Sequence, residues 1–309
     1  MLARMADDPI AYLPRIRTYY QALGYGAPYE WAHSADVAFQ PLRRPLSACR
    51  VALITTAAPY HPDHGEQGPN APYNAKAKFY TVYSGDATHD PDLRVSHVAI
   101  DREHTTGEDP RSYFPLTELR LQAAAGRIGT VAPRFHGAPT NRSQRITLDV
   151  DAPEIVARCH VDAVDAAILV PNCPVCHQTV ALIANRLEQN GISTVIMGCA
   201  KDIVEYVGAP RFVFSDFPLG NGAGRPNDPA SQALTLELAL GLLEAATAPR
   251  TTLQSPLRWS DSSDEWKLDY CNIDRLTPEE VSRRRAEFDR AKVQAHSVRD
   301  QGGRTIPRA

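Results

Sequence analysis

The stretch that decides the fold runs from residue 165 to residue 198 and reads DAAILVPNCPVCHQTVALIANRLEQNGISTVIMG. Two short apolar runs, 165–171 and 192–198, predict buried strands. The longer segment between them has the apolar spacing of a helix that ends at Gly191. A helix that joins two parallel strands forms a right-handed βαβ unit. The stretch therefore predicts a parallel sheet covered by helices.

The alternation of strand and helix continues on both sides of this stretch. Further strands are predicted at 49–58, 93–101 and 211–216, and further helices at 115–126, 153–161, 202–208 and 228–246. Such alternation with short links is typical of an α/β protein with an open, doubly wound, mainly parallel sheet and helices on both faces. We expect this fold class, with extensions at both ends of the chain.

The composition divides the chain into four segments. Residues 1–47 predict an N-terminal helical extension, and residues 48–150 predict a first α/β half with a loop rich in His and Pro. Residues 151–247 predict a second α/β half that carries a C-x-x-C motif, and residues 248–309 predict a strap followed by a helix.

The C-terminal segment has clear helix signals. Thr277 and Pro278 begin the predicted helix, and Glu280 closes a capping box. We expect disorder from about Arg299. The aromatic residues Trp259, Trp266 and Tyr270 predict a subunit interface, and hence a homodimer.

The composition also excludes several classes of function. The net charge is −3, with Lys and Arg spread along the 309 residues, so we expect no nucleic-acid partner. No apolar run reaches the length of a membrane span, and the first residues lack the apolar core of a secretory signal. These features predict a cytoplasmic protein without membrane contacts. Six cysteines in so long a chain do not form a disulfide scaffold.

Cys173 and Cys176 stand where the first strand of the quoted stretch gives way to its helix. With Pro174 as the first helical residue, Cys173 is the N-cap and Cys176 lies in the first turn. Ligands of open α/β sheets bind at the carboxyl ends of strands, and the positive end of a helix lowers the pKa of a thiol. The position favours a nucleophilic Cys173 with Cys176 as its resolving thiol. A zinc-binding pair and two buried filler residues remain alternatives.

A second group of candidates lies in the His-rich part of the first half. His97 and Asp101, near the end of the strand predicted at 93–101, are candidates for acid–base catalysis. If they converge with neighbouring imidazoles, the set also suits a divalent transition metal such as zinc. The candidate metal ligands are His61, His64, His89, His97, Asp101 and His104.

The remaining candidates concern the substrate. The glycine-rich loop PLGNGAGRPND, residues 218–228, does not have the spacing of a dinucleotide fingerprint, so we expect no nucleotide cofactor. Arg225 in this loop is suited to bind a carboxylate, which implies a small, anionic substrate. We also expect substrate contacts from Asn172 and His177, which flank the two cysteines, and from Cys199, at the end of the next strand.

Residues 49 to 246 resemble component B of the glycine, sarcosine and betaine reductases and the matching subunit of D-proline reductase. In the second half the resemblance rests on VDAAILVPNCPVCHQTVALIANRLEQNGISTVIMGCA and GAPRFVFSDFPLGNGAGRPND. In the first half it rests on CRVALITTAA, VSHVAID and YFPLTELRLQAAAGRIGTVAP. These pieces follow one another in the same order as in the family.

The resemblance implies a reductive cleavage of a carbon–nitrogen bond. The family's active element is a selenocysteine separated by two residues from a cysteine, and here Cys173 and Cys176 stand at those two positions. The selenolate attacks a carbon and displaces an amine, in complexes with a pyruvoyl-bearing subunit and a carrier selenoprotein that this chain does not supply. Cys199 also falls where a family cysteine tends to lie, whereas another family cysteine is replaced by Thr179.

These features predict a thiol-dependent, reductase-like enzyme that cleaves a carbon–nitrogen or carbon–sulfur bond of a small amino-acid-like substrate. One alternative is a metal-dependent desulfhydrase or hydrolase, in which Cys and His bind a metal that activates water. A second alternative is a non-catalytic partner subunit with the same fold.

Overall fold

The computed structural model of the protein describes residues 8–140, 143–260 and 263–301. The elements of the first half are α1 (Tyr12–Ala22), β1 (Arg50–Thr55), β2 (Ala58–Pro59), β3 (Tyr83–Asp86), β4 (Leu93–Arg94), α2 (Leu116–Ala124), β5 (Thr130–Val131) and β6 (Arg134–Gly137). A helical turn (Gln144–Ile146) and a π-helical stretch (Thr147–Asp151) follow. The second half contains α3 (Ala152–Val161), β7 (Ala166–Val170), α4 (Pro174–Gln189), β8 (Ser193–Gly198), α5 (Lys201–Val207), β9 (Arg211–Phe214), α6 (Pro229–Ala245), β10 (Thr251–Gln254) and α7 (Pro278–Gln301).

The main sheet has eight strands in the order β10-β9-β8-β7-β1-β6-β3, and β5 pairs with β1 off this path. Its described pairings are parallel, except that β3 runs antiparallel to β6 at one edge. β2 and β4 form a separate antiparallel pair. The prediction of an open, mainly parallel α/β sheet is confirmed.

Helices cover both faces because the central strands carry apolar side chains on both. In β1, Ala52 and Ile54 pack into the core on one face with α3, α4 and α5, whereas Val51 and Leu53 pack on the other with α2 and α6. All four residues are at most 1% exposed. Each fully buried Leu, Ile or Val side chain contributes about 1.5–3 kcal/mol to stability.

The strand order reverses direction at β1. From β1 the chain first adds β6 and β3 on one side, then crosses to the other side and adds β7, β8, β9 and β10 in turn. In such sheets the crevice between the two strands of the switch point, outside their carboxyl ends, is where ligands bind. The C-x-x-C motif directly follows β7 and therefore lies at this switch point.

The strand predicted at 93–101 is wrong beyond Arg94, where β4 ends. The guanidinium of Arg102 donates to the backbone carbonyls of Val98 and Ser96, each at 2.9 Å. These carbonyls are thereby satisfied without a neighbouring strand, so the backbone folds into a turn-rich segment. We call residues 95–106 the His loop.

The tail helix agrees with its predicted start. The Oγ1 of Thr277 accepts a hydrogen bond from the Glu280 amide at 3.2 Å. Glu280 does not close the predicted capping box, because its carboxylate pairs with Arg283 at 2.6 Å and Arg284 at 2.5 Å. α7 continues to Gln301, and the disorder predicted from about Arg299 falls mostly on residues 302–309, which lie outside the described residues.

Residues 255–260 and 263–276, which we call the strap, pack against segments at the carboxyl edge of the sheet. The aromatic residues from which the sequence predicts an interface pack within their own chain. Trp259 lies 5.5 Å from the ring of Phe217, Tyr270 lies 5.1 Å from the ring of Tyr12, and Trp266 is buried. They therefore give no support to the predicted dimer, which stays a prediction. Within the described ranges, no helix combines the length and apolar character needed to cross a membrane.

Candidate functional site

The C-x-x-C motif forms the first turn of α4, as predicted. Cys173 is the N-cap of the helix, Pro174 is its first residue, and the Sγ of Cys173 accepts a hydrogen bond from the Cys176 amide at 3.2 Å. The two sulfurs are joined in a disulfide, with the Cα atoms 4.8 Å apart. Because amide N–H groups and the positive end of the helix dipole favour an anion here, the turn stabilises a thiolate once the disulfide is reduced.

The two sulfurs differ in their surroundings. Cys173 is 5% exposed, whereas Cys176 is fully buried and its sulfur accepts a hydrogen bond from the Oγ1 of Thr140 at 3.5 Å. The more exposed cysteine is the one that a substrate reaches first. The geometry thus suits an attacking Cys173 and a resolving Cys176.

His177 connects this turn to the end of β8. Its Nδ1 lies 2.8 Å from the Cys173 carbonyl oxygen, and its Nε2 accepts hydrogen bonds from the amides of Cys199 (3.0 Å) and Ala200 (3.2 Å). The proton of the neutral ring is therefore on Nδ1. Both ring nitrogens bond to backbone, so His177 positions the C-x-x-C turn, and its predicted contact with substrate stays a prediction.

Asn172, which precedes Cys173, is fully buried at the switch point. Its backbone amide donates to the Oγ1 of Thr56 at 3.1 Å, and the carbonyl of the same Thr56 accepts from the Nε2 of His97 at 3.1 Å. Thr56 directly follows β1, the neighbour of β7. Two sequence-predicted residues, Asn172 and His97, are thus brought together around Thr56 beside the cysteines.

The D-proline reductase subunit gamma of Acetoanaerobium sticklandii is 30% identical to this chain over 196 residues, which are 62% of this chain and 77% of that protein. The chain belongs to the proline and glycine reductase family. No family model matches the chain. No solved structure matches it either.

In this member of the proline and glycine reductase family, the candidate metal ligands do not converge. His89 pairs with Asp86, and both are exposed. The rings of His61 and His64 lie 4.7 Å apart and are tilted by 40° to each other. Among residues 8–140, 143–260 and 263–301, no group of three or more His, Cys, Asp or Glu side chains is arranged to hold a metal ion. The predicted convergence is wrong because the His loop folds into turns instead of extending as a strand.

Asp101 and His104 instead tie the His loop to the strap. The Nδ1 of His104 lies 3.1 Å from Asp101, and its Nε2 lies 3.0 Å from Asp269 of the strap. Burial raises the pKa of Asp101, and His104 opposes this shift. The contacts place Asp101 in a structural clamp, and acid–base catalysis by this residue stays a prediction.

Cys199 follows β8 and is buried under the glycine-rich loop. Burial raises the pKa of its thiol to about 12, although the backbone N–H groups of Asn221, Gly220 and Phe217 lower it in part. A Cβ added at Gly222 would lie 2.8 Å from the Met197 carbonyl oxygen. The loop therefore approaches the end of β8 so closely that only glycine fits at position 222. Cys199 is therefore held protonated against the sheet, and its predicted contact with substrate stays a prediction.

The guanidinium of Arg225 binds other groups of the same chain. It pairs with Asp228 at 2.7 Å, and its Nη1 donates to the carbonyl of Arg258 in the strap. Asp228 is the N-cap of α6, so the pair holds the loop to the start of that helix. Both contacts are made within the chain and give Arg225 a structural role, and its predicted binding of a substrate carboxylate stays a prediction.

Sequence reasoning missed three residues near the site. Thr56 and Thr140 contact the cysteine turn, and Lys267 of the strap pairs with Asp216, after β9, at 2.6 Å while only 2% exposed. Thr56 lies near the end of the strand predicted at 49–58, so the rule that sites form at carboxyl ends signals it. Thr140 and Lys267 come from irregular segments, and no local pattern marks them.

His177 yields a pH prediction. Burial lowers its pKa to about 4 from 6.5. The unfolded chain therefore takes up the proton more readily, so the stabilisation is complete above about pH 6.5 and is lost as the pH falls towards 4. We expect the free energy of unfolding to lose about 3 kcal/mol over this range through His177 alone. Urea unfolding of wild type and His177→Gln at several pH values gives the free energy of unfolding as a function of pH. The contribution of His177 is the difference between the slopes of the two curves.

His160→Gln is the matched control, because His160 is exposed on α3. It makes the same His-to-Gln change at the surface of the protein. A His177→Gln slope that equals wild type would show that the imidazole is not held neutral in the folded state.

Proposed function

We propose that the chain is a thiol-dependent reductase that cleaves a carbon–nitrogen or carbon–sulfur bond of a small, anionic, amino-acid-like substrate. Cys173 is the nucleophile and Cys176 the resolving thiol. The observation that carries the proposal is the bonded C-x-x-C pair at the N-terminus of α4, beside the switch point of the sheet. Membership of the proline and glycine reductase family supports the same chemistry.

The first step forms a bond between sulfur and carbon. The Cys173 thiolate attacks the carbon that carries the amine, the carbon–nitrogen bond breaks, and the amine leaves with the bonding electron pair and takes up a proton. The Cys176 amide, 3.2 Å from the Cys173 sulfur, stabilises the thiolate before the attack. A substrate with a carbon–sulfur bond reacts in the same way and releases a thiol.

The second step resolves the intermediate. The Cys176 thiolate attacks the Cys173 sulfur, a disulfide forms, and the carbon leaves with the electron pair of the broken carbon–sulfur bond and takes up a proton. The substrate gains two electrons and the two cysteines lose them. A carboxylate or carbonyl next to the reacting carbon is needed to stabilise the negative charge that develops on it. An external dithiol then reduces the disulfide and completes the cycle.

The test is stoichiometric. The full chain is reduced, freed of reductant and incubated in turn with D-proline, glycine, sarcosine and betaine, the compounds named by the family. We expect one disulfide between Cys173 and Cys176 for each bond cleaved, measured by mass spectrometry beside product analysis. Turnover with intact thiols that a chelator abolishes would instead support a metal-dependent desulfhydrase or hydrolase. Thiols that stay reduced with every compound would support a partner subunit.

A further inference from the structure

Asn172 carries the largest unmet hydrogen-bonding capacity near the cysteines. Its side chain is fully buried, and neither Nδ2 nor Oδ1 has a protein partner among the described residues. A buried polar group without a partner costs about 1–3 kcal/mol. Such a cost on the residue next to Cys173 points to a ligand that supplies the missing bonds.

The neighbouring groups add to this capacity. His97 donates through Nε2 to the Thr56 carbonyl, so its Nδ1 is an acceptor, and this atom also has no protein partner within the described ranges. Because the Asn172 backbone amide binds the side chain of the same Thr56, Asn172 and His97 both contact one residue. The cluster offers donors on Asn172 Nδ2 and acceptors on Asn172 Oδ1 and His97 Nδ1.

The charges around this cluster favour an anion. Burial lowers the pKa of His97 to about 3, so the ring is neutral, and the positive charges of Lys78 and Arg102 also lower it. The three hydrogen bonds of the Arg102 guanidinium go to carbonyl oxygens of Ala71, Val98 and Ser96. No carboxylate therefore neutralises this partly buried cation among those contacts. A ligand carboxylate is attracted to such a region.

We infer that Asn172 orients the substrate by donating from Nδ2 to its carboxylate, with Asn172 Oδ1 and His97 Nδ1 accepting from N–H groups of the same molecule. This inference rests on the proposed function, since it places the carbon next to the carboxylate before the sulfur of Cys173. Asn172 is thus a positioning residue for a ligand that carries a carboxylate and an amine close together.

The experiment compares two alkylating agents of equal size on the reduced full chain. Iodoacetate carries a carboxylate beside its reactive carbon, and iodoacetamide carries a carboxamide there. For Asn172→Leu we expect the ratio of the Cys173 rate constants, iodoacetate over iodoacetamide, to fall at least tenfold, the size of effect expected when a charge-assisted hydrogen bond is lost. Asn172→Asp should lower the ratio further, because its carboxylate repels that of the reagent.

Stability separates this role from a structural one. Leu has the branching and the number of side-chain heavy atoms of Asn, and it removes the unpaired amide, so Asn172→Leu should fold with a Tm near that of wild type. A fall in Tm together with an unchanged rate ratio would overturn the inference. If Asn172→Leu does not fold, Asn172→Asp gives the rate ratio.

The role of Asn172 Oδ1 and His97 Nδ1 as acceptors is tested by measuring how well small ligands protect Cys173 from alkylation. Glycine should protect Cys173 from iodoacetamide at lower concentration than acetate, because only glycine has N–H groups for Oδ1 and Nδ1. Equal protection would overturn that half of the inference. Failure of the proposed function looks different: reduced Cys173 would react with iodoacetamide no faster than Cys271, whichever residue stands at 172.

Discussion

Cys173→Ser is expected to abolish reductive turnover, by on the order of 10³- to 10⁶-fold, the loss seen when a catalytic nucleophile is removed. A serine hydroxyl at the N-cap still accepts the Cys176 amide, so the helix start keeps its hydrogen bond. At neutral pH a hydroxyl is almost wholly protonated, and it forms no disulfide with Cys176. The expected result is a folded protein with an unchanged far-ultraviolet circular dichroism spectrum and no product.

Cys176→Ser should separate the two chemical steps. Cys173 still attacks the substrate and releases one amine or thiol per chain, but no second thiol removes the carbon from its sulfur. Mass spectrometry should then find the substrate carbon skeleton attached to Cys173. Cys271→Ser is the control, because Cys271 lies in the strap, and it should turn over as wild type does. Full turnover by Cys173→Ser, or an adduct on another cysteine, would contradict the assigned roles.

The second large effect is on stability and concerns a buried ion pair. Glu188 and Arg211 are 2.7 Å apart, and the side chains of both are fully buried. The carboxylate also accepts hydrogen bonds from the amide of Thr194 at 2.5 Å and from its hydroxyl at 2.8 Å. Since α4 supplies Glu188 and β9 supplies Arg211, the pair joins the helix behind the C-x-x-C turn to the sheet.

Glu188→Ala should lower the free energy of unfolding by about 3–5 kcal/mol, because it leaves the buried charge of Arg211 without a partner. Urea unfolding followed by circular dichroism measures this change. The double variant Glu188→Leu/Arg211→Met removes both charges and should recover most of the loss. Glu287→Ala, which breaks the exposed pair with Arg283 on α7, should change the value by less than about 1 kcal/mol. Equal effects of Glu188→Ala and Glu287→Ala would show that the buried pair carries no special stabilisation.

The strands and helices between Ala152 and Ala245 are readable from the sequence because each has one dominant local signal, whereas β10 (Thr251–Gln254) is not predicted. The helix from Pro174 has Pro at its first position and an apolar stripe, and Gly191 follows it with a positive φ of 82°. β7 is apolar throughout, and β8 is apolar from Val195 onwards, as expected for strands that helices cover on both faces. Local propensity and tertiary environment agree there, so the prediction holds.

The His loop shows where this agreement ends. Val95, Val98 and Ile100 look like strand residues, and they are indeed buried. Their burial comes from packing under turns that Arg102 holds together. No sequence rule specifies which backbone carbonyls a guanidinium will bind. The false strand then misplaced His97 relative to His104, and the predicted metal cluster depended on that placement.

The site could be predicted in outline for a similar reason. The cysteines and Asn172 follow a well-signed strand, so their position at the carboxyl edge follows from the chain order. Whether a side chain keeps a free polar group depends on contacts from other segments. From the sequence, His177 and Arg225 could both bind a substrate. In the structure, the imidazole of His177 accepts from backbone amides at the end of β8, and the guanidinium of Arg225 binds Asp228 and a carbonyl of the strap.

Burial of the candidate site also has a kinetic consequence. With Cys173 only 5% exposed and Asn172 fully buried, a molecule reaches the sulfur only while some covering segment is displaced. Segments at this edge of the sheet are held by contacts such as the pairs of Lys267 with Asp216 and of Asp269 with His104, and such contacts break before a segment moves. Motions of such segments take microseconds to milliseconds, and in many enzymes they limit the overall rate. Turnover should then slow in viscous solution, even though the bond-breaking steps involve only two sulfurs and one carbon.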